Sequence, residues 1–147
     1  MSLQIKKNRQ RVYFIHLHNI FEVQVLPKAL HYFNLTFLRD GPFLTCLNEW
    51  GAKLRSEVFK MPFGDQGFCL KKENFWFLGG FLVGGEKKGG EDHLLVWEVR
   101  KKGLNLRNTG GFLATSARKY QENGWLKTTC YHVYLTYKVA VRKYFGL

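Results

Sequence analysis

Between His31 and Phe59 the spacing of apolar side chains changes from every second residue to every third or fourth, and Asp40-Gly41-Pro42 stands at the change. A period of two belongs to a strand with one buried face, and a period near 3.6 to an amphipathic helix. In His31–Leu38 the apolar residues Phe33, Leu35 and Phe37 alternate with Tyr32, Asn34, Thr36 and Leu38, which predicts a half-buried strand. Phe43–Phe59 then predicts a helix whose apolar stripe holds Phe43, Leu44, Leu47, Trp50, Gly51, Leu54 and Val58. Glu49, Lys53, Arg55 and Glu57 supply its polar side. A chain that switches period in this way folds as mixed α/β structure.

The rest of the chain repeats the switch. Phe68-Cys69-Leu70 is a short apolar strand, and Lys71–Leu78 a short helix stopped by Gly79-Gly80. Gly84–Gly90 carries four glycines and reads as a mobile loop. Glu91 and Asp92 open a helix that closes on Arg100, Lys101 and Lys102 before Gly103, charges that suit the two ends of a helix dipole. Leu104–Arg107 reads as a strand and Thr109-Gly110-Gly111 as a turn. Thr115-Ser116 caps a helix that Gly124 interrupts, and a second helix runs from about Trp125 to Tyr144 with a stripe of Leu126, Cys130, Val133, Tyr134, Tyr137 and Val141. Residues 1–30 are the hardest to place, with Val12–Ile15 and Phe21–Leu26 as strand candidates and an isolated His16-x-His18 pair.

With 147 residues and 46% hydrophobic side chains the chain has the means to bury one core. Its three cysteines are scattered and odd in number, which argues against a zinc site or a disulfide framework and for reduced, mostly buried thiols in the cytoplasm. No apolar run approaches the about 18 residues of a membrane span. The net charge of +12 favours acidic partners without choosing among them. The last helix mixes tyrosines with lysines and arginine, which admits peripheral contact with an anionic inner membrane surface. Nucleic acid ranks last, because no stacking platform or RNA-recognition signature is present.

Two segments carry candidate chemistry. In Phe63-Gly64-Asp65-Gln66-Gly67-Phe68, Gly64 and Gly67 flank two polar side chains before an apolar strand, so a ligand can approach the backbone while Asp65 and Gln66 hydrogen-bond hydroxyls. A plain turn explains the same residues. In Gly89-Gly90-Glu91-Asp92-His93, a carboxylate at a helix start beside a loop suits general-base work, and dipole-complementing acids explain it equally. His93 is a packing residue or a ligand. Thr115–Lys119, with Arg118, offers hydroxyls and amides at a helix start as an anion site, or a capped helix with a basic face.

Taken in order, Leu47–Ser56 (LNEWGAKLRS), Pro62–Gly67 (PFGDQG), Leu78–Phe81 (LGGF), Glu91–Trp97 (EDHLLVW), Thr115–Tyr120 (TSARKY) and Gly124–Thr129 (GWLKTT) resemble family 2 glycosyltransferases, in the subgroup of bacterial selenodomain-associated transferases. The resemblance covers about residues 31–147 and leaves 1–30 as a divergent segment. It implies part of a GT-A fold, a partial mixed sheet with packed helices, with the N-terminal nucleotide-binding half and its D-x-D motif absent. It implies Asp92 as the catalytic base of an inverting transfer from a nucleotide sugar to an acceptor hydroxyl. It implies that Gly64, Asp65, Gln66, Gly67, Glu91, His93 and Arg118 line the substrate site. No cofactor is evident in this chain, and Mg²⁺ or Mn²⁺ is implied for the full-length family. The chain alone is expected to be inactive, and an exposed half-sheet is expected to favour self-association through its edge. The runner-up reading is a basic binding module on an anionic membrane surface or a partner protein.

Overall fold

The structure is a computed structural model and describes residues 13–15, 28–80 and 91–144. Among the described residues the elements are β1 (Tyr13–Ile15), β2 (Ala29–Phe37), α1 (Thr45–Val58), β3 (Phe68–Cys69), α2 (Lys72–Leu78), α3 (Glu91–Lys101), β4 (Asn105–Thr115), α4 (Arg118–Asn123) and α5 (Trp125–Tyr144), with a 3₁₀ turn at Gly64–Gln66. The fold is mixed α/β. The strand candidate at Phe21–Leu26, the His16/His18 pair and the Gly84–Gly90 loop lie outside the described residues.

One mixed sheet runs in the order β1-β4-β2-β3. β2 and β4 are parallel, from Ala29 opposite Asn105 to Phe37 opposite Thr115, while β1 and β3 pair antiparallel on β4 and β2. Two parallel neighbours need a crossover, and α1, α2 and α3 supply it. β2 is therefore a central strand rather than a half-buried one. Ala29, Leu30, His31, Tyr32, Phe33 and Leu35 are all buried, because neighbours cover both of its faces. Leu30 joins Leu78, Leu95 and Val99 in the main apolar cluster, with Phe68, Leu70, Phe75, Leu104 and Leu106 against it.

Thr109-Gly110-Gly111 is not a turn. β4 runs straight through it, and the register slips there: Tyr32 faces Asn108 but Asn34 faces Phe112. The extra residues form a bulge in the parallel pair. Gly110 takes a φ of +77°, open to glycine at little cost. The amides freed by the bulge find local acceptors, Gly110 N–H donating to Asn108 Oδ1 (2.9 Å) and Gly111 N–H to Thr109 Oγ1 (3.1 Å). Phe33 packs into the recess, where a Cβ on Gly111 would meet its ring at 3.2 Å.

Helix α1 lies with its small and polar residues inward. Thr45, Ala52 and Ser56 are buried, whereas Leu47, Trp50, Leu54 and Val58 of the anticipated core stripe are exposed, Trp50 at 66%. Hydrogen bonds explain the reversal. Glu49 Oε1 accepts from Thr36 Oγ1 (2.9 Å) and Phe37 N–H (2.6 Å), Asn48 reaches α5, and Ser56 Oγ donates to Gln66 Oε1 (2.8 Å). The stripe of α5 is likewise outward: Leu126, Val133, Tyr134 and Tyr137 are exposed, while Thr128 is buried. Cys46 and Cys130 share these outward helices and are exposed; only Cys69 is partly covered, so the thiols are free but not mostly buried.

Gln66 ties these parts together. It is 1% exposed. Its Oε1 accepts from Ser56 Oγ, from Phe63 N–H (3.0 Å) and from Arg55 Nη2 (3.2 Å), and its Nε2 donates to the Phe33 carbonyl (3.2 Å). Gln66→Ala is expected to destabilise the fold by about 2–3 kcal/mol, because it removes the partner of the buried Phe63 N–H and of the Phe33 carbonyl, while Ser56 keeps the Ala52 carbonyl (2.7 Å). Urea unfolding of parent and variant measures this, and a loss of less than about 1 kcal/mol would remove Gln66 as the tie.

Candidate functional site

Asn48 pins α1 to α5. Its Oδ1 accepts from Trp125 Nε1 (2.7 Å) and its Nδ2 donates to Thr129 Oγ1 (3.0 Å). Beyond this pin the two helices leave a groove of about 520 Å³ between them. Its walls are largely apolar, with Leu47 and Leu54 on one side and Val133 and Tyr137 on the other. Phe63, Asp65, Arg55, Tyr120 and His132 bring the aromatic and polar groups.

The polar end is a charged cluster built on Arg55. Its Nε donates to the Met61 carbonyl (3.0 Å), and its guanidinium carbon lies 3.3 Å from the centre of the Phe63 ring. Burial pulls the Arg55 pKa down to about 10, with Asp65, Asp92 and Tyr120 acting against that shift. The group stays charged at neutral pH. Asp65 opens onto the groove and is itself exposed. Burial raises its pKa above the ordinary carboxylate range, the Arg55 charge opposes that rise, and the Asp92 charge adds to it. Burial also raises the Tyr120 phenol, and Asp65 adds to the rise. His132 stacks at 6.1 Å on the Tyr120 ring, and burial first, then Lys119 and Arg55, lowers its pKa.

Asp92 sits behind this cluster, at the start of α3. Its Oδ2 accepts from Gly64 N–H at 2.7 Å. The approach is close: a Cβ on Gly64 would stand 2.9 Å from that oxygen and 3.1 Å from the Asp92 Cβ, so a larger residue there would push the Asp92 side chain aside. His93 packs edge-on against Phe63 at 4.0 Å, and burial lowers its pKa while Asp92 opposes the shift. Glu91 is exposed at the helix start.

The anticipated residues are thus divided. Asp65 lines the groove; Gly64, Gln66, Gly67, Glu91, Asp92, His93 and Arg118 do not. Gln66 is committed to four protein partners, which makes it a support of the loop rather than a ligand contact. A Cβ on Gly67 would lie 2.9 Å from Leu113 Cδ2, so this glycine serves packing. Arg118 lies at a place already filled. Asp40 accepts from Ser116 Oγ (2.6 Å) and Ala117 N–H (2.7 Å), so the chain supplies its own anion to the helix start. The Ser116 hydrogen bond is the main cause that lowers the Asp40 pKa, and burial opposes it. Arg118 turns back, its N–H and Nε both donating to Ser116 Oγ.

Sequence reasoning missed Arg55 and Asp40. Arg55 counted as one cation on a polar helix face, and Asp40 as a turn former. The usable signal for Arg55 was its placement beside Ser56, one turn after Ala52, on the side with the small residues. Among the described residues no group of three or more His, Cys, Asp or Glu could hold a metal ion. Two carboxylates beside a guanidinium do not fit a Mg²⁺ or Mn²⁺ site, whose ligands are oxygen atoms without a competing cation. No helix among the described residues is long and apolar enough to cross a membrane. No family model, no curated protein and no solved structure matches the chain.

The raised pKa of Asp65 has a measurable consequence. A carboxyl whose folded-state pKa is raised binds its proton more tightly in the folded chain. The stability it contributes is present below the ordinary value of about 4 and is lost as pH rises through the raised value. Asp65→Asn is therefore expected to raise the urea midpoint at about pH 7 and to leave it unchanged at about pH 3. A variant less stable than the parent at neutral pH would mean that pairing with Arg55 outweighs burial.

Proposed function

We propose that this chain forms the acceptor side of a family 2 glycosyltransferase of GT-A type, taking a hydroxyl group carried on a largely apolar body. The observation that carries the reading is an apolar groove with Asp65 on its wall, next to the Gly64 turn whose N–H holds Asp92; the charge of Arg55 acts on both carboxylates. The ordered motifs from Leu47 to Thr129 support the same family, and the mixed sheet is compatible with a part of that fold.

In this reading Asp65 accepts a hydrogen bond from the acceptor and orients it in the groove. Asp92, on the far side of the Gly64 turn from the groove, takes the proton of a hydroxyl that reaches past Asp65 as its oxygen attacks the anomeric carbon. The new C–O bond forms as the bond from that carbon to the nucleotide diphosphate breaks, with inversion. The proton rests on the Asp92 carboxyl and the diphosphate leaves with the bonding pair. Gly64 N–H holds the carboxylate of Asp92 by one oxygen, so its direction is fixed before the acceptor arrives. Binding of the donor belongs to a nucleotide-binding half of the family, supplied by another polypeptide or another part of the protein.

Two measurements test this. Ligand-observed NMR with a short alkyl glucoside below its micelle concentration is expected to show saturation transfer to both the sugar and the alkyl protons, reduced by Asp65→Ala. No transfer to any alkyl glycoside or polyol would sink the acceptor reading. With a D-x-D-bearing donor half added in trans, sugar transfer from nucleotide sugars is expected, and Asp92→Asn should lower turnover by about 10²–10⁴-fold with little change in stability. Retained turnover removes Asp92 from the role of base.

A further inference from the structure

We infer that the outward face of α1 and α5 docks on an anionic lipid surface. Leu47, Trp50 and Leu54 on α1 and Leu126, Val133 and Tyr137 on α5 are all exposed, Val133 at 63% and Tyr137 at 66%. The two stripes belong to one patch, because Leu47, Leu54, Val133 and Tyr137 are also the residues on either side of the groove mouth. Exposed apolar surface of this extent on a folded chain marks an interaction face.

Charge selects the occupant. The α5 sequence holds Lys127, Lys138, Arg142 and Lys143 and no acid. At about 100° per residue, Lys127 and Lys138 stand about 100–120° round the helix from Leu126, between the exposed tyrosines Tyr134 and Tyr131. Lys138 Nζ lies 5.8 Å from the centre of the exposed Tyr134 ring, so its charge stays beside that ring. Apolar and tyrosine side chains on one arc with lysines beside them is the arrangement of a helix lying in a lipid headgroup layer. The apolar arc is confined to one side of α5, which suits a helix lying on a bilayer rather than crossing it.

The inference does not depend on sugar transfer. Sedimentation of the purified chain with sucrose-loaded vesicles tests it. One set is phosphatidylcholine alone; the other contains one third phosphatidylglycerol. Binding to the anionic vesicles only is expected, weakening at least about tenfold when salt rises from about 0.1 to about 0.5 M. Trp50→Ser with Leu126→Ser, and separately Lys127→Glu with Lys138→Glu, should each weaken binding at least about tenfold while circular dichroism stays that of the parent. Equal binding to both vesicle sets, unchanged binding by either folded variant, or no binding at all overturns the inference. So does a dimer in sedimentation equilibrium that Trp50→Ser with Leu126→Ser dissolves while vesicles go unbound, since the face then belongs to a second copy. Failure here leaves the alkyl glucoside result standing, and the converse also holds.

Discussion

The side-chain carboxamide of Gln66 is the contact on which the arrangement of this chain depends. It is enclosed between α1, the Phe63 amide and the carbonyl of Phe33 in the central strand. A buried amide leaves its partners unsatisfied if it moves, so a network closed in this way permits few alternatives. Arg55 is held by the same oxygen and by the Met61 carbonyl, and Phe63 lies under its guanidinium. The position of Asp65, one residue before Gln66, follows from that anchoring. So does the placement of Gly64 against Asp92.

The same network accounts for the reversed helix. Turning α1 to bury Leu47, Trp50 and Leu54 would withdraw Glu49 from the end of β2, Asn48 from Trp125, and Ser56 from Gln66. Each such bond contributes about 1 kcal/mol net when made, and a buried group left unpaired costs about 1–3 kcal/mol. Full burial of a large apolar side chain is worth about 1.5–3 kcal/mol. The two orientations are therefore comparable in solvent energetics, and it is the specific partners in β2, the Gln66 turn and α5 that decide. The groove is a by-product of this choice. With small residues inward and Asn48 bridging to Trp125 and Thr129, a groove stays open along the α1–α5 contact.

Element types were legible in the sequence, and so were most boundaries: the helices after Pro42, after Lys71, after Gly90 and on either side of Gly124 form where spacing and glycine stops indicate. Orientation was not. Periodicity says that a helix has two unlike faces, and only the surroundings say which one is covered. The Gly110-Gly111 pair read as a turn because glycines usually end strands. Here Phe33 across the sheet needed the room, and Asn108 and Thr109 satisfied the freed amides. Asp65, singled out in the sequence, lines the groove between α1 and α5. Arg55, which binds Met61, Gln66 and the Phe63 ring, was hidden among ordinary helix-surface charges. At Thr115–Lys119, read as an anion site or a capped helix, one contact distant in sequence, the carboxylate of Asp40, takes the place of an external anion.

That contact brings a constraint of another kind. Where Asp40 meets the entry to α4, a Cβ built on Gly41 would stand 2.5 Å from the Cβ of Ala117 and 2.7 Å from its carbonyl oxygen. The obstacle is largely main chain and cannot rotate aside. Trimming Ala117 would not by itself make room. Sequence drift at position 41 is therefore closed for as long as the Asp40 clasp persists, and it reopens only in descendants that lose the clasp and let α4 swing away. Two turns far apart in the chain must in this sense be inherited together.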